Sequence, residues 1–189
     1  TGDKVNGSFY VGGIAGRQYS GEITQTTTTT TVQGTESVGG IIGIMTYGSL
    51  SQSAAKMDSV NASINVGGLV GDQNGEVSNS YTTTDVSGST AVGVLVGRNE
   101  DPVENVFGTG TATQSGATRG AFGENYASDS AVTGAYWDVS ASQNESAQDA
   151  TPLTTSEMQG STAETNMPNL DFTNIWQTNT GDHPSLRFE

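Results

Sequence analysis

V-G-G-I-A-G at 11–16, V-G-G-I-I-G at 38–43, V-G-G-L-V-G at 66–71 and V-G-V-L-V-G at 92–97 are four versions of one phrase, and a degenerate fifth, T-R-G-A-F-G, stands at 118–123. Their closing glycines, Gly16, Gly43, Gly71, Gly97 and Gly123, are separated by 27, 28, 26 and 26 residues. Self-similarity at a fixed period in this range marks a stacked repeat, in which one unit cannot bury its apolar face alone and uses the next to do so. Each marker is followed by further columns: Ile23, Leu50, Val77, Val103 and Val132; then Thr27, Ala54, Tyr81, Phe107 and Tyr136; then Val32, Val60, Val86, Thr111 and Val139. Between these points small or polar residues alternate with apolar ones, as in V-S-N-S-Y from Val77 to Tyr81, which is the period of a strand with one face inward. The sequence therefore predicts an all-β chain, a β-solenoid (parallel β-helix) of about five coils of roughly 27 residues over 1–150, with about three strands per coil and a C-terminal capping segment over 151–189. The marker glycines belong at corners, through positive φ or through packing too close for a Cβ, and not in a phosphate cradle.

Composition agrees with a solenoid better than with a two-layer domain. Hydrophobic residues make up 32% of the 189, below the globular average of about 45 to 50%, so little is available to fill a conventional interior. The 26 glycines recur in phrases, which separates the chain from a disordered linker. Against 20 acidic residues stand only Lys4, Arg17, Lys56, Arg98, Arg119 and Arg187, giving a net charge of -14. These cations are spread over the whole length, so no basic stripe exists and nucleic acid is excluded as a partner. The acidity fits solubility in high salt better than a divalent-cation surface, because salt screens the repulsion between like charges. Without cysteine there is neither a disulfide framework nor a thiolate site, and no apolar run reaches the length of a membrane span.

Chemistry-bearing residues are few. Carboxylates fall in pairs at Asp72 with Glu76 and at Glu100 with Asp101, and singly at Asp129, but each sits among turn-forming residues, where a solvated corner is the ordinary reading. No catalytic residue and no cofactor is expected. For a metal, the nearest approach to a site is D-Q-N-G-E, whose Asp72, Asn74 and Glu76 resemble part of a Ca²⁺ loop without its length or its terminal Glu. His183 is the only histidine and reads as a capping residue. The run Thr26 to Thr31 raises an ice-binding face, which would need Thr in the same place on every layer; the next coil offers Ala54, Ala55 and Lys56 instead. Asn6, Asn61 and Asn144 open N-x-S/T sequons, which have meaning only on an exported protein.

After about residue 150 the period is lost. T-P-L-T-T-S-E-M-Q-G predicts a short helix around Thr155 to Gln159 that stops at Gly160, and Phe172, Trp176, Leu186 and Phe188 supply large apolar groups expected to cover the open end of the stack. At the other end Val5 leads almost at once into the first phrase, so a cap there is expected from another part of a longer protein or from another subunit.

The V-G-G phrases, each followed by a strand such as GEVSNSYTTTDVSG (Gly75 to Gly88), together with AYWDVSAS (Ala135 to Ser142), LTTSEMQG (Leu153 to Gly160) and FTNIWQTNTGDHPSLRF (Phe172 to Phe188), resemble the GLUG-motif repeats of large secreted and cell-surface proteins and the segment that closes such arrays; the acidic, lysine-poor character is similar to haloarchaeal members. Arg119 and Ala121 depart from the phrase and put the regularity of the fifth coil in doubt. The resemblance implies an extracellular, cell-surface location and a non-catalytic role as stalk, adhesin or surface-assembly component, with other surface proteins, glycans or further copies of the chain as partners. A filament subunit stacking head-to-tail is the second expectation, and a glycan-active β-helix enzyme the third.

Overall fold

The computed structural model describes residues 4–128, 131–141 and 150–189, and it is a β-solenoid of about five turns. The first coil holds β1 (Lys4–Asn6), β2 (Phe9–Gly12), β3 (Ala15–Gln18), β4 (Glu22–Thr24) and β5 (Thr27–Thr28). The second repeats them as β6 (Thr31–Gln33), β7 (Glu36–Gly39), β8 (Ile42–Met45), β9 (Ser49–Ser51) and β10 (Ala54–Ala55). In the third they return as β11 (Ser59–Asn61), β12 (Ile64–Gly67), β13 (Val70–Gln73), β14 (Glu76–Ser78) and β15 (Tyr81–Thr82). The fourth has β16 (Asp85–Gly88), β17 (Thr90–Gly93), β18 (Val96–Asn99) and a merged β19 (Val103–Gly108). The fifth has β20 (Ala112–Gln114), β21 (Ala117–Thr118), β22 (Phe122–Asn125) and β23 (Val132–Asp138). Corresponding strands of successive coils pair in parallel, so each position of the repeat becomes a ladder along the stack.

A complete coil thus has five short strands where the alternation predicts about three. The path bends at residues that adopt the left-handed conformation, and these recur with the repeat. Tyr10, Ser37, Asn65 and Ala91 stand one residue ahead of each V-G dipeptide, and Gln25, Gln52, Asn79 and Asn105 lie between the fourth and fifth strand positions, all with positive φ. Asn tolerates this conformation; for the others it costs about 1 kcal/mol, which the fixed ladders on either side must offset.

The phrase glycines serve a different purpose, and none of the five markers has positive φ. A Cβ on Gly71 would lie 2.4 Å from the Val38 nitrogen and 2.7 Å from the Gly43 oxygen; one on Gly39 would lie 2.8 Å from the Gly71 nitrogen. Second and third strands therefore meet backbone to backbone in a seam with no room for side chains. Of the two expected roles for the markers, close packing is the one observed.

The predicted columns are in register. Ile23, Leu50, Val77, Val103 and Val132 pair in succession, and so do Thr27, Ala54, Tyr81, Phe107 and Tyr136. The fourth column holds through Val32, Val60 and Val86, but Val86 then pairs with Ala112 and not with Thr111. Thr111 is held outside because its amide and hydroxyl both donate to the Asp85 carboxylate at 2.8 Å, so the next residue turns inward. Val139 lies beyond the end of β23 and joins no such ladder. The doubtful fifth coil is half regular: Phe122 keeps its place opposite Val96, whereas β21 folds back antiparallel on β20.

The interior is filled by fully buried Leu50, Val60, Leu69, Val77, Val103 and Trp137, among others. An amide row, invisible to apolar patterning, lies two residues after each marker: buried Gln18, Gln73 and Asn99 and half-buried Asn125, with Met45 in the second coil. Gln73 Nε2 donates to the carbonyls of Gly75 (2.7 Å) and Pro102 (3.1 Å), satisfying turns that side-chain-free corners leave open.

The tail departs from expectation in three ways. Just past the expected boundary, β24 (Thr151–Leu153) still belongs to the stack, pairing parallel with β23. Residues 155–160 form turns, closed by Thr154 hydrogen-bonded through amide and hydroxyl to the Glu157 carboxylate, and the only helix among the described residues is α1 (Thr162–Asn166), beyond Gly160. More important, the large apolar residues do not cover the end of the stack. Met158, Met167, Leu170, Trp176 and Leu186 pack against its flank, on the outward column Ala54, Tyr81, Phe107 and Tyr136. That column is apolar and would otherwise face solvent, so it draws the tail back alongside the coils. The tail ends in a hairpin of β25 (Trp176–Asn179) and β26 (Asp182–Leu186).

Candidate functional site

Three places on the molecule could carry function: a charged column, an open end and the seam beneath the tail. The column consists of the residues after the markers. Arg17 pairs with Ile44, Ile44 with Asp72, Asp72 with Arg98, and Arg98 with Glu124, so the sign of the charge alternates over Asp72, Arg98 and Glu124. The Arg98 guanidinium reaches Asp72 at 3.5 Å and Glu100 more closely, and stands 5.3 Å over the Tyr126 ring, while Glu124 accepts from the Tyr126 hydroxyl at 3.0 Å. Burial pushes the Asp72 carboxyl up, Arg98 opposes that, and Glu100 adds to it.

The open end is the first coil. Among the described residues β1, β2, β3, β4 and β5 each stand last in their ladders, so one edge of all five lacks a strand partner. Around that edge Phe9 and Tyr19 are each 63% exposed, Ile14 51% and Tyr10 41%. The far end differs. There β20 is covered by the antiparallel β21, β23 by β24, and the Val92 amide of β17 donates to the Gln114 side chain at 3.3 Å. An unpaired parallel edge is a template for a further strand, and among the described residues the first-coil end offers five of them together.

The third place lies where the terminal hairpin meets the flank. Lys56 Nζ is 2.7 Å from Glu189 Oε1, the Tyr81 hydroxyl donates to Glu189 Oε2 at 2.8 Å, and Thr27 Oγ1 donates to Oε1 at 3.2 Å. Burial raises the Glu189 carboxyl, but the bonds from Lys56 and Tyr81 outweigh it and hold it below the usual range. The Tyr81 phenol is pushed well above its usual range by burial and then by Glu189. Beside them a cleft of about 400 Å³ opens between Lys56, Tyr81 and Thr83 on one side and the hairpin on the other.

No family model, curated protein or solved structure matches this chain.

The residues singled out from sequence are dispersed. Asp72 is engaged by Arg98 and by Asn65 (3.3 Å), Asn74 donates to Glu100 (3.2 Å), and Glu76 is exposed at the start of β14, so the Ca²⁺ candidates do not converge. Among the described residues no three His, Asp or Glu side chains are grouped to hold a metal. Asp129 and Asn144 lie outside the described residues. Asn6 is exposed in β1, whereas the Asn61 amide nitrogen already donates to Ser59 (2.9 Å) and its oxygen accepts from Ser87, so a glycan there would have to break the ladder. The threonines form no exposed array. Thr28 and Thr82 are buried, their neighbours in the column are Ala55 and Gly108, and the tail covers part of that flank. His183 is part-buried, its ring near Phe107 (6.5 Å between centroids), with Nε2 3.9 Å from the buried Asp138 and Nδ1 3.5 Å from Asp182. The Lys56, Tyr81 and Glu189 cluster escaped sequence reasoning. Its one signal was Lys56 itself, a cation where the repeat would place Thr29 or Thr83.

Proposed function

We propose that this chain is a non-catalytic module of an extracellular, cell-surface assembly, serving as stalk, adhesin or assembly component, and that the first coil is its joining end. The single observation carrying the reading is the set of five parallel edges at β1 to β5 that have no strand partner among the described residues, rimmed by exposed Phe9, Tyr10, Ile14 and Tyr19. The occupant of that end is a further parallel coil with the same small-residue phrase, because such a coil continues ladders that already run through the stack. The resemblance of the V-G-G phrases to GLUG-motif arrays, the sequons and the acidic composition support the location. Head-to-tail filaments of identical chains are less well supported, since β21 and β24 occupy two positions of the opposite end.

Light scattering and electron microscopy of the chain at low and at molar NaCl test this reading. Single short rods at both salts are the expected result, and long filaments would replace it with the filament reading. Turnover of any member of a glycan panel would overturn the non-catalytic assignment.

A further inference from the structure

The cleft beneath the hairpin is lined by no residue of β1 to β5 and has a chemistry of its own. Its volume of about 400 Å³ falls within the range of small-molecule sites. One wall is rigid, formed by Lys56, Tyr81 and Thr83 of the stacked coils; the other is the hairpin, whose alternation turns Gln177 and Asn179 to the same face as Ser185. Amide donors on that face are engaged within the hairpin. Gln177 Nε2 donates to Ser185 Oγ at 3.0 Å, and Asn179 Nδ2 donates to the His183 carbonyl at 2.8 Å and to Ser185 Oγ at 3.2 Å. Among the described residues neither Gln177 Oε1 nor Asn179 Oδ1 accepts a hydrogen bond, so both oxygens stand fixed as acceptors. Ser185 Oγ, accepting twice, keeps its proton to donate, and the Thr83 hydroxyl stands exposed on the opposite wall.

Charge narrows the ligand. Among the described residues Lys56 is the one permanent cation lining the cleft and it is paired with Glu189, while Asp182, 76% exposed at the side chain, adds a carboxylate at the rim. An anion would meet a neutralised lysine and an unneutralised carboxylate, and is disfavoured. Fixed carbonyl and carboxylate acceptors interleaved with hydroxyls suit a ligand that presents many O–H donors on a compact ring. We propose that this cleft binds a neutral saccharide unit, of about one or two rings by its volume. The site is held ready without ligand, because the Lys56–Glu189–Tyr81 network fixes one wall and the Trp176 anchor fixes the other.

The test is a titration of the whole chain with glucose, galactose, mannose, N-acetylglucosamine and their β-linked disaccharides, followed by the side-chain amide NMR signals of Gln177 and Asn179. Glucuronate and ethanolammonium serve as charged probes. The expected result is a saturable shift with at least one neutral sugar, none with glucuronate, and affinity reduced about tenfold by Asn179→Ala, the cost of one hydrogen bond. Should that variant disturb the hairpin, Thr83→Val on the rigid wall decides, with a similar loss expected. No saturable shift with any neutral sugar, a response to ethanolammonium alone, or affinity unchanged in Thr83→Val would overturn the proposal. The joining-end reading stands or falls separately, since its coil edge shares no residue with this cleft.

Discussion

At the residue scale two positions decide most. Gly71 sits in the seam where a Cβ would press on the backbone of Val38, Ser37 and Gly43, none of which can rotate away. Gly71→Ala should therefore cost about 3 kcal/mol or more. Gly21→Ala is the control: its Cβ meets nothing within 4 Å, and only the positive φ of 88° resists it, at about 1 kcal/mol. Urea unfolding of both variants checks the contrast, and equal losses would mean the seam is not close-packed. Arg98 stands between Asp72 and Glu124 in the ladder and holds Asp72 and Glu100 directly. Arg98→Glu aligns three like charges, and after allowance for solvent screening at this partly exposed side chain it should destabilise by about 1 kcal/mol at low salt. Molar NaCl should shrink the difference. A variant as stable as the parent at low salt would show that the column carries no energy.

At the element scale the tail is the component to test. Trp176 lies 5.3 Å from Phe107 and 5.8 Å from Tyr81, whose own rings stack at 4.9 Å, so the hairpin is anchored on an aromatic ladder and locked by Glu189. Because the folded-state carboxyl of Glu189 is held below its ordinary range, its contribution is present near neutrality and is lost as pH falls through that depressed value. Acidification below the usual carboxylate range should release the hairpin, seen as increased exposure of Trp176 to a fluorescence quencher. In Glu189→Gln the tail should be looser at neutral pH and lose that acid-dependent step; a step unchanged in the variant would assign it elsewhere. The coils were legible in the sequence because glycine spacing and apolar columns report a local, repeated geometry. The tail was not. Its apolar residues signalled that something is covered, but Tyr81, Phe107 and Tyr136 read equally well as inward or outward residues, so the flank was missed and the end of the stack chosen instead. Thr111 was misplaced by one residue because the Asp85 bond that holds it outside is a tertiary contact. The cleft stayed hidden for the same reason, since Lys56 and Glu189 are brought together only by the returning tail.

At the scale of the whole molecule, a net charge of -14 is carried by a stack of about five coils with its tail alongside, and the repulsion is screened only when the Debye length is short. The midpoint of thermal unfolding should rise steadily from low to molar NaCl, and an unchanged midpoint would remove the salt-adapted reading of the composition. The stack is quasi-one-dimensional, so its stability is a sum of coil and interface terms, and among the described residues the first coil has a strand neighbour on one side only. That one-sided pairing is the basis for assigning it as the joining end. Hydrogen exchange on the chain alone, and on the chain with a copy of residues 31–58 grafted ahead of Lys4, measures it most directly. The outward-facing amides of β1 to β5 should exchange freely in the chain alone and become protected about a hundredfold when the extra coil is present. Outward amides already protected in the single chain, or still exchanging freely beneath the added coil, would contradict the assignment of the first coil as a joining surface.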